Sequence, residues 1–390
     1  MNICDIQQFL HDHDLGGWLL ADFHGRNQIA LQMLGLSGLV TRRSFYLIPC
    51  DGEPVGLVHA IEKAKFAHLP GKLISYSGYR QLETELRQII GGCERLAMEY
   101  SANGRLPYIG LVDAGTIELI RDQDIDVVSS ADLVATFQAV LSTEQIATHR
   151  MAAHNVHEIK ERAFEFIAEE VRGGNAVTEH QVVSFILDQF ERYDMETEFA
   201  PICAVDKNAG DPHYEPAQDS STLITRGQLI LIDLWAKIKK PGAVYADITG
   251  MAFAGSADEI PDEYKRIFAI ISSARDRAVE FVRSHVDNRP VYGCEVDDVC
   301  RGVIAEAGYG DAFVHRTGHS ITSSEHGPGP NIDNLETEDG RKLRQGHLFS
   351  IEPGIYLEQF GMRTEINVLI GHNGAEVTTL PVQTAIRPLF

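Results

Sequence analysis

The order of apolar and polar positions divides the chain into two unequal parts. Up to about residue 135, short apolar runs alternate with helix-like stretches: GGWLLAD, SFYLIPC, GEPVGLVHA and KLISYS, then RQLETELRQII, RLAMEYS, GTIELIRDQ and IDVVSS. Strands interleaved with helices predict a small α/β domain, residues 1–138. Its Arg42, Arg43, His59 and Glu62 have neither ligand nor nucleophile spacing, so a supporting role is expected. Residues 142–172 carry apolar positions at helical spacing behind a Ser or Thr cap and predict one long helix. Its three histidines, His149, His154 and His157, lie on an otherwise charged face and are expected in solvent.

The remainder repeats itself. A helix TEHQVVSFILDQFERY is followed by a segment with HYEP, the apolar strand RGQLILID, and YADITGM. Later a helix CEVDDVCRGVIAEAGY is followed by EHGP, QGHLFSIE and MRTEINV. Gly227 precedes Asp233 by six positions, as Gly346 precedes Glu352. A second acid follows each, Asp247 after 14 positions and Glu365 after 13. Two copies facing each other about a local two-fold would bring the four carboxylates together.

Composition narrows the reading. A length of 390 residues exceeds one core of ordinary size, which favours two domains, the second spanning 139–390. No run approaches the roughly 18 apolar residues of a membrane span, and the opening MNICDIQQFLHDHD lacks the pattern of a signal peptide. No membrane partner and a cytoplasmic location are expected. The six cysteines form no CxxC pair, which argues against a disulfide framework or a structural zinc site. A net charge of −22 disfavours nucleic acid and suits a soluble protein, or one that binds basic partners.

Ionised carboxylates on apolar strands are costly to bury unless paired or bound to metal. Four of them carry a charge that two divalent cations would balance. Oxygen-rich, nitrogen-poor donors favour manganese, with cobalt or zinc as alternatives. Two ions roughly 3.5–4 Å apart would bridge a water and yield a hydroxide able to attack a carbonyl. The segment HRTGHSITSSEHGPG offers His315, His319 and His326, with Gly318 marking a close backbone approach. With His319 as ligand, His315 and His326 are expected to be free to hold substrate or move protons. His213, in DPHYEP, holds the place in the first copy that His326 has in the second, and either stabilises an oxyanion opposite it or is a surface residue beside a proline turn. Arg363 shares a strand face with Glu365 and is placed to fix that carboxylate.

The stretches LIDLWA, YADIT, HRTGHS, SIEPGIY and MRTEINVLI resemble the signature of the pita-bread metallopeptidases: aminopeptidase P, prolidase, methionine aminopeptidase and the metal-free creatinase. The resemblance covers about residues 145–390, and the preceding part is similar to the creatinase-type N-terminal domain, which methionine aminopeptidase lacks. It implies an α+β chain whose pita-bread fold has an internal pseudo-two-fold repeat. It also implies that Asp247 and Glu365 bridge two metals, Asp233 serves one, and His319 with Glu352 serves the other. His213, His315 and His326 match positions that bind substrate or assist proton transfer, and Glu352 is also given a proton role. The activity implied is removal of the N-terminal residue from peptides with proline second, through a metal-bridging hydroxide, by a homodimer. A prolidase-type dipeptidase is the alternative within the class, and a non-catalytic protein-binding module the alternative outside it. A creatinase-like C–N hydrolase fits less well, because that relative works without the ligands present here. Two departures bear on substrate choice: a KIKKPG insertion lengthens the Asp233–Asp247 loop, and no acid follows His326. Glu325, on the other side of that histidine, is not expected to replace it.

Overall fold

The computed structural model describes residues 2–390. Two compact units divide between Gln138 and Ala139. In the first, a six-stranded sheet runs Lys72–Tyr76, Val55–His59, Ser44–Pro49, Gly17–Asp22, Arg95–Met98, Asp126–Ser129. Only Ser44–Pro49 runs antiparallel to its neighbours. Alternation sends Trp18, Leu20, Tyr46 and Ile48 into one apolar layer and Leu19, Ala21, Phe45 and Leu47 into the other. Burial on both faces explains why these strands read as continuous apolar runs. Glu62 is structural, since it accepts hydrogen bonds from the backbone of Thr41 and Arg42.

The second unit is built from two similar halves. The first contributes α1 (Thr143–Arg172), α2 (Glu179–Arg192) and a hairpin of β1 (Leu229–Ile238) and β2 (Ala246–Phe253). The second contributes α3 (Asp262–His285), α4 (Gly293–Glu306) and an antiparallel pair, β3 (Leu348–Ile351) and β4 (Ile366–Gly371). A capping box starts α1 at Ser142 and Gln145, as its sequence predicts.

The repeat is visible in backbone detail. Gly227 and Gly346 both adopt left-handed φ, 91° and 89°, and each donates its N–H across its hairpin at 2.8 Å, to Ala254 and Ile370. A side chain would strain both turns. Ile230, Ile232 and Leu234 pack beneath α1 and α2, whereas Leu229 and Leu231 join a core containing Leu348, Phe349, Ile351 and Val368 of the other half. Buried Asn367 stitches the hairpins: its Oδ1 accepts from Asp247 N at 2.9 Å and its Nδ2 donates to Asp247 O at 2.8 Å.

One expectation fails on α1. His149 is fully buried rather than solvated, with Nδ1 2.7 Å from Tyr245 O and Nε2 2.6 Å from Thr378 Oγ1. The charged neighbours along the helix concealed a site where it crosses the start of β2. Burial lowers its pKa to about 4 from an ordinary 6.5. The unfolded chain therefore binds the extra proton first, and stability from this residue, present above pH 6.5, is lost as pH falls toward 4. The loss is expected to reach about 3 kcal/mol at pH 4. Urea unfolding midpoints between pH 7 and 4.5 should fall less steeply in His149→Gln than in the unaltered protein.

Candidate metal centre

Register delivers the acids. In the first hairpin Asp233 pairs with Thr249 and Asp247 with Trp235, so all four share the face of Leu229 and Leu231, turned toward the other half. A slip of one residue would send both acids beneath the helices. In the second half Glu352 directly follows β3 and Glu365 directly precedes β4, beyond the last pair, Ile351 with Ile366.

His319 arrives on a segment that lies beside β3. Gly318 bridges to Ile332, and a Cβ there would sit 1.9 Å from Ser350 O, which is the close approach expected of this glycine. Ser350 N donates to His319 O at 2.9 Å, and Glu352 N donates to Thr317 O at 2.7 Å. The Ser350 hydroxyl accepts from His319 N and donates to Glu352 Oε1, at 2.9 and 3.0 Å.

The result is one cluster. Asp247, His319 and Glu365 each turn a donor atom to within 4.8 Å of the others, and all three are buried. His319 Nε2 lies 3.4 Å from Asp247 Oδ2 and 3.5 Å from Glu352 Oε1, separations long for hydrogen bonds. Arg363 ties Asp233 in: its guanidinium donates to Asp233, to Thr249 Oγ1 at 3.1 Å and to Tyr356 OH at 2.9 Å. Thr249 in turn donates to Glu365 Oε2 at 2.9 Å. Arg363 was expected to fix Glu365 directly. It reaches that acid through Thr249, because its side chain spans the interface between the halves to Asp233.

The donor set fits divalent metal. Asp233 Oδ1, Asp247 Oδ1 and Glu365 Oε1 are buried without a hydrogen-bond partner. Burial and then the charge of Asp233 push the Asp247 carboxyl well up, and burial and then Asp247 do the same to Glu365. Burial lifts Glu352 to about 7 although Arg363 opposes it. Burial drives His319 well down, which keeps its imidazole neutral. Orphaned acid oxygens around a neutral nitrogen suit two cations better than protons alone.

The other histidines divide. His315 was expected to be free, but its Nδ1 lies 2.7 Å from Arg316 O and its Nε2 2.7 Å from Tyr356 OH. With Arg363 donating to the phenol oxygen, the phenol proton goes to Nε2, so His315 is a neutral prop for Tyr356. Burial holds its pKa down to about 3. His326 stands edge-on to His319, ring centres 4.3 Å apart, with 60% of its side chain exposed. Crowding, then the charges of Arg316 and His213, lower it to about 4. His213 is exposed on a turn where its N–H donates to Asp211.

Sequence reasoning missed Thr249, Ser350, Tyr356 and Asn367. Thr249 had a signal, lying two positions after Asp247 on the same strand face. Glu325 Oε1 is 3.5 Å from His326 Nε2. Burial, then Asp233 and Glu352, push that carboxyl up to about 8.

Two facing hairpins with their acids at a shared interface define a pita-bread fold, and solved structures agree. A dipeptidase PepE from Mycobacterium ulcerans superposes with a TM-score of 0.75 at 20% identity, covering 99% of this chain and 97% of the other. An X-Pro aminopeptidase from Thermotoga maritima gives 0.66 at 22% identity, covering 99% of each. An Xaa-Pro dipeptidase from Lactobacillus delbrueckii subsp. lactis is 30% identical over 346 residues, covering 85% of this chain and 87% of that one. Residues 151–372 match metallopeptidase family M24. The chain belongs to that family and is a peptidase.

Proposed function

We propose that this protein hydrolyses the bond between an N-terminal residue and a following proline, using two divalent ions, manganese first among them. The observation that carries the reading is the convergence of Asp247, Glu365 and His319, with buried carboxylate oxygens of Asp233, Asp247 and Glu365 left without a hydrogen-bond partner, in a member of a metallopeptidase family. Asp247 and Glu365 would hold both ions, Asp233 one, and His319 with Glu352 the other. Bound ions supply charge neutralisation, Lewis acidity toward a carbonyl and acidification of water.

The protein's own groups do the rest. Arg363, braced by Tyr356 and His315, fixes the orientation of Asp233 and, through Thr249, of Glu365. His326 and His213, both solvent-accessible, are the hydrogen-bond donors available to a substrate oxygen. Glu352, whose Oε1 accepts from the Ser350 hydroxyl, would take a proton on its carboxyl and return it to the departing amine.

Dipeptides as the preferred length are supported by the relative named Xaa-Pro dipeptidase. The aminopeptidase reading requires longer chains as well. Protein supplied with manganese is expected to cut Leu-Pro but not Leu-Ala, and comparison with Leu-Pro-Pro separates the two readings. Loss of no metal and no activity in Asp233→Ala would sink both and favour a binding module. No helix among the described residues is long and apolar enough to cross a bilayer.

A further inference from the structure

The face of the β1–β2 hairpin that carries Asp233 and Asp247 continues into a second cluster with no ligand duty. One pair further along, Lys237 stands beside Tyr245, its Nζ 4.8 Å over the phenol ring. Lys237 also donates to Ser323 O at 2.7 Å, and Tyr245 N donates to Thr322 O at 3.0 Å. These bonds pin the segment 322–325 to the hairpin and turn Glu325 inward, its side chain only 15% exposed. Glu325 lies within electrostatic reach of Asp233, Glu352 and Glu198, with Arg316 offsetting part of that negative field.

The Trp235 indole Nε1 is buried without a partner, and the Tyr245 hydroxyl meets the backbone of Glu198. The backbone beside them is irregular. β1 pairs with Ile202 at Asp233 and with Glu196 at Lys237, so residues 197–201 bulge from its edge next to Trp235. The bulge carries Glu198 and Phe199, the latter 67% exposed. Lys237 donates to Ser323 O and lies 3.8 Å from Glu196.

We propose that this cluster is the pocket for the side chain of the substrate's first residue and that Glu325 selects a cationic one, lysine or arginine. The inference rests on the function proposed above, which puts the scissile carbonyl at the ligand cluster. Two residues along a strand span about 7 Å, close to the reach of a lysine or arginine side chain from its Cα. Trp235 and Phe199 supply aromatic surface for the methylene stem and the cation. Glu325, with Glu198 behind it, gives up its proton to become the counter-charge once a ligand cation offsets the neighbouring acids, and the Tyr245 oxygen accepts a further hydrogen bond.

The test uses arginine and its uncharged isostere citrulline with manganese-supplied protein. Calorimetry is expected to show free arginine binding at least about tenfold more tightly than citrulline, with Arg-Pro favoured over citrulline-Pro in kcat/KM to a similar degree. In Glu325→Gln and Glu325→Val both ratios should fall to within about twofold of unity. Equal ratios in the unaltered protein, or a preference that survives both substitutions, would overturn the assignment. Selective arginine binding without cleavage of any Xaa-Pro peptide would instead reject the proposed reaction and leave the pocket standing. Cleavage indifferent to side-chain charge would reject the pocket alone.

Discussion

Asp247→Asn is expected to lose peptidase activity by at least about a thousandfold, roughly 4 kcal/mol of transition-state stabilisation, and yet to make the metal-free protein more stable. Asparagine keeps the shape of the side chain but cannot supply an anionic oxygen to two cations. The backbone of Asp247, held by Asn367, is untouched by the change. What disappears is a carboxylate whose burial, and then repulsion from Asp233, Glu325 and Glu352, push its pKa well up. Relief of that repulsion is expected to raise unfolding free energy at pH 8 by about 1 kcal/mol in the presence of a chelator. Metal analysis, peptide hydrolysis and chelator-treated urea melts check the three statements together. A destabilised metal-free variant would show that Asp247 contributes to folding in its own right.

Chelation should abolish activity, and restoring manganese should raise the thermal midpoint of the second unit more at pH 8 than at pH 5.5. The sign follows from the carboxyls. Glu352 is lifted to about 7, and Asp247 and Glu365 are raised well above the ordinary carboxylate range. In the folded metal-free protein they hold protons that the unfolded chain has already released. Stability therefore falls as pH rises from the ordinary carboxylate range through those raised values. Divalent ions remove this penalty where it is greatest, whereas at pH 5.5 protons compete for the same oxygens. With metal at about a hundred times its dissociation constant, stabilisation of about 2.7 kcal/mol corresponds to a midpoint shift of roughly 5–10 °C. Scanning calorimetry at the two pH values is the measurement. A shift equal at both, or larger at pH 5.5, would show that the carboxyls are not the ions' partners.

The four acids were legible because a strand register is a counting rule: with Gly227 and Gly346 six positions upstream, Asp233 and Glu352 fall at equivalent steps of the two hairpins, although Asp233 lies within β1 and Glu352 just past β3. The strands of the first unit were legible for a similar reason, as runs buried on both sides. Less visible was everything that depends on one half meeting the other. Asn367 looks like an isolated polar residue in INVLI until its amide is seen against the Asp247 backbone. His149 looks solvated beside its charged neighbours along α1, and its burial depends on Tyr245 and Thr378, 96 and 229 positions away. Glu325 shows in sequence only its adjacency to His326, which says nothing about the bonds at Thr322 and Ser323 that turn its side chain inward.

The Asn367 clasp also bears on exchange kinetics. Because each half owns two of the acids, an ion held by all four would be bound by both halves at once. Any parting of the halves would break both amide bonds to Asp247 together with the core beneath them. Residence time of the metal then becomes a gauge of how often the two hairpins breathe. Loosening the clasp without touching a ligand should shorten that residence time long before it alters the amino-acid preferences of the site.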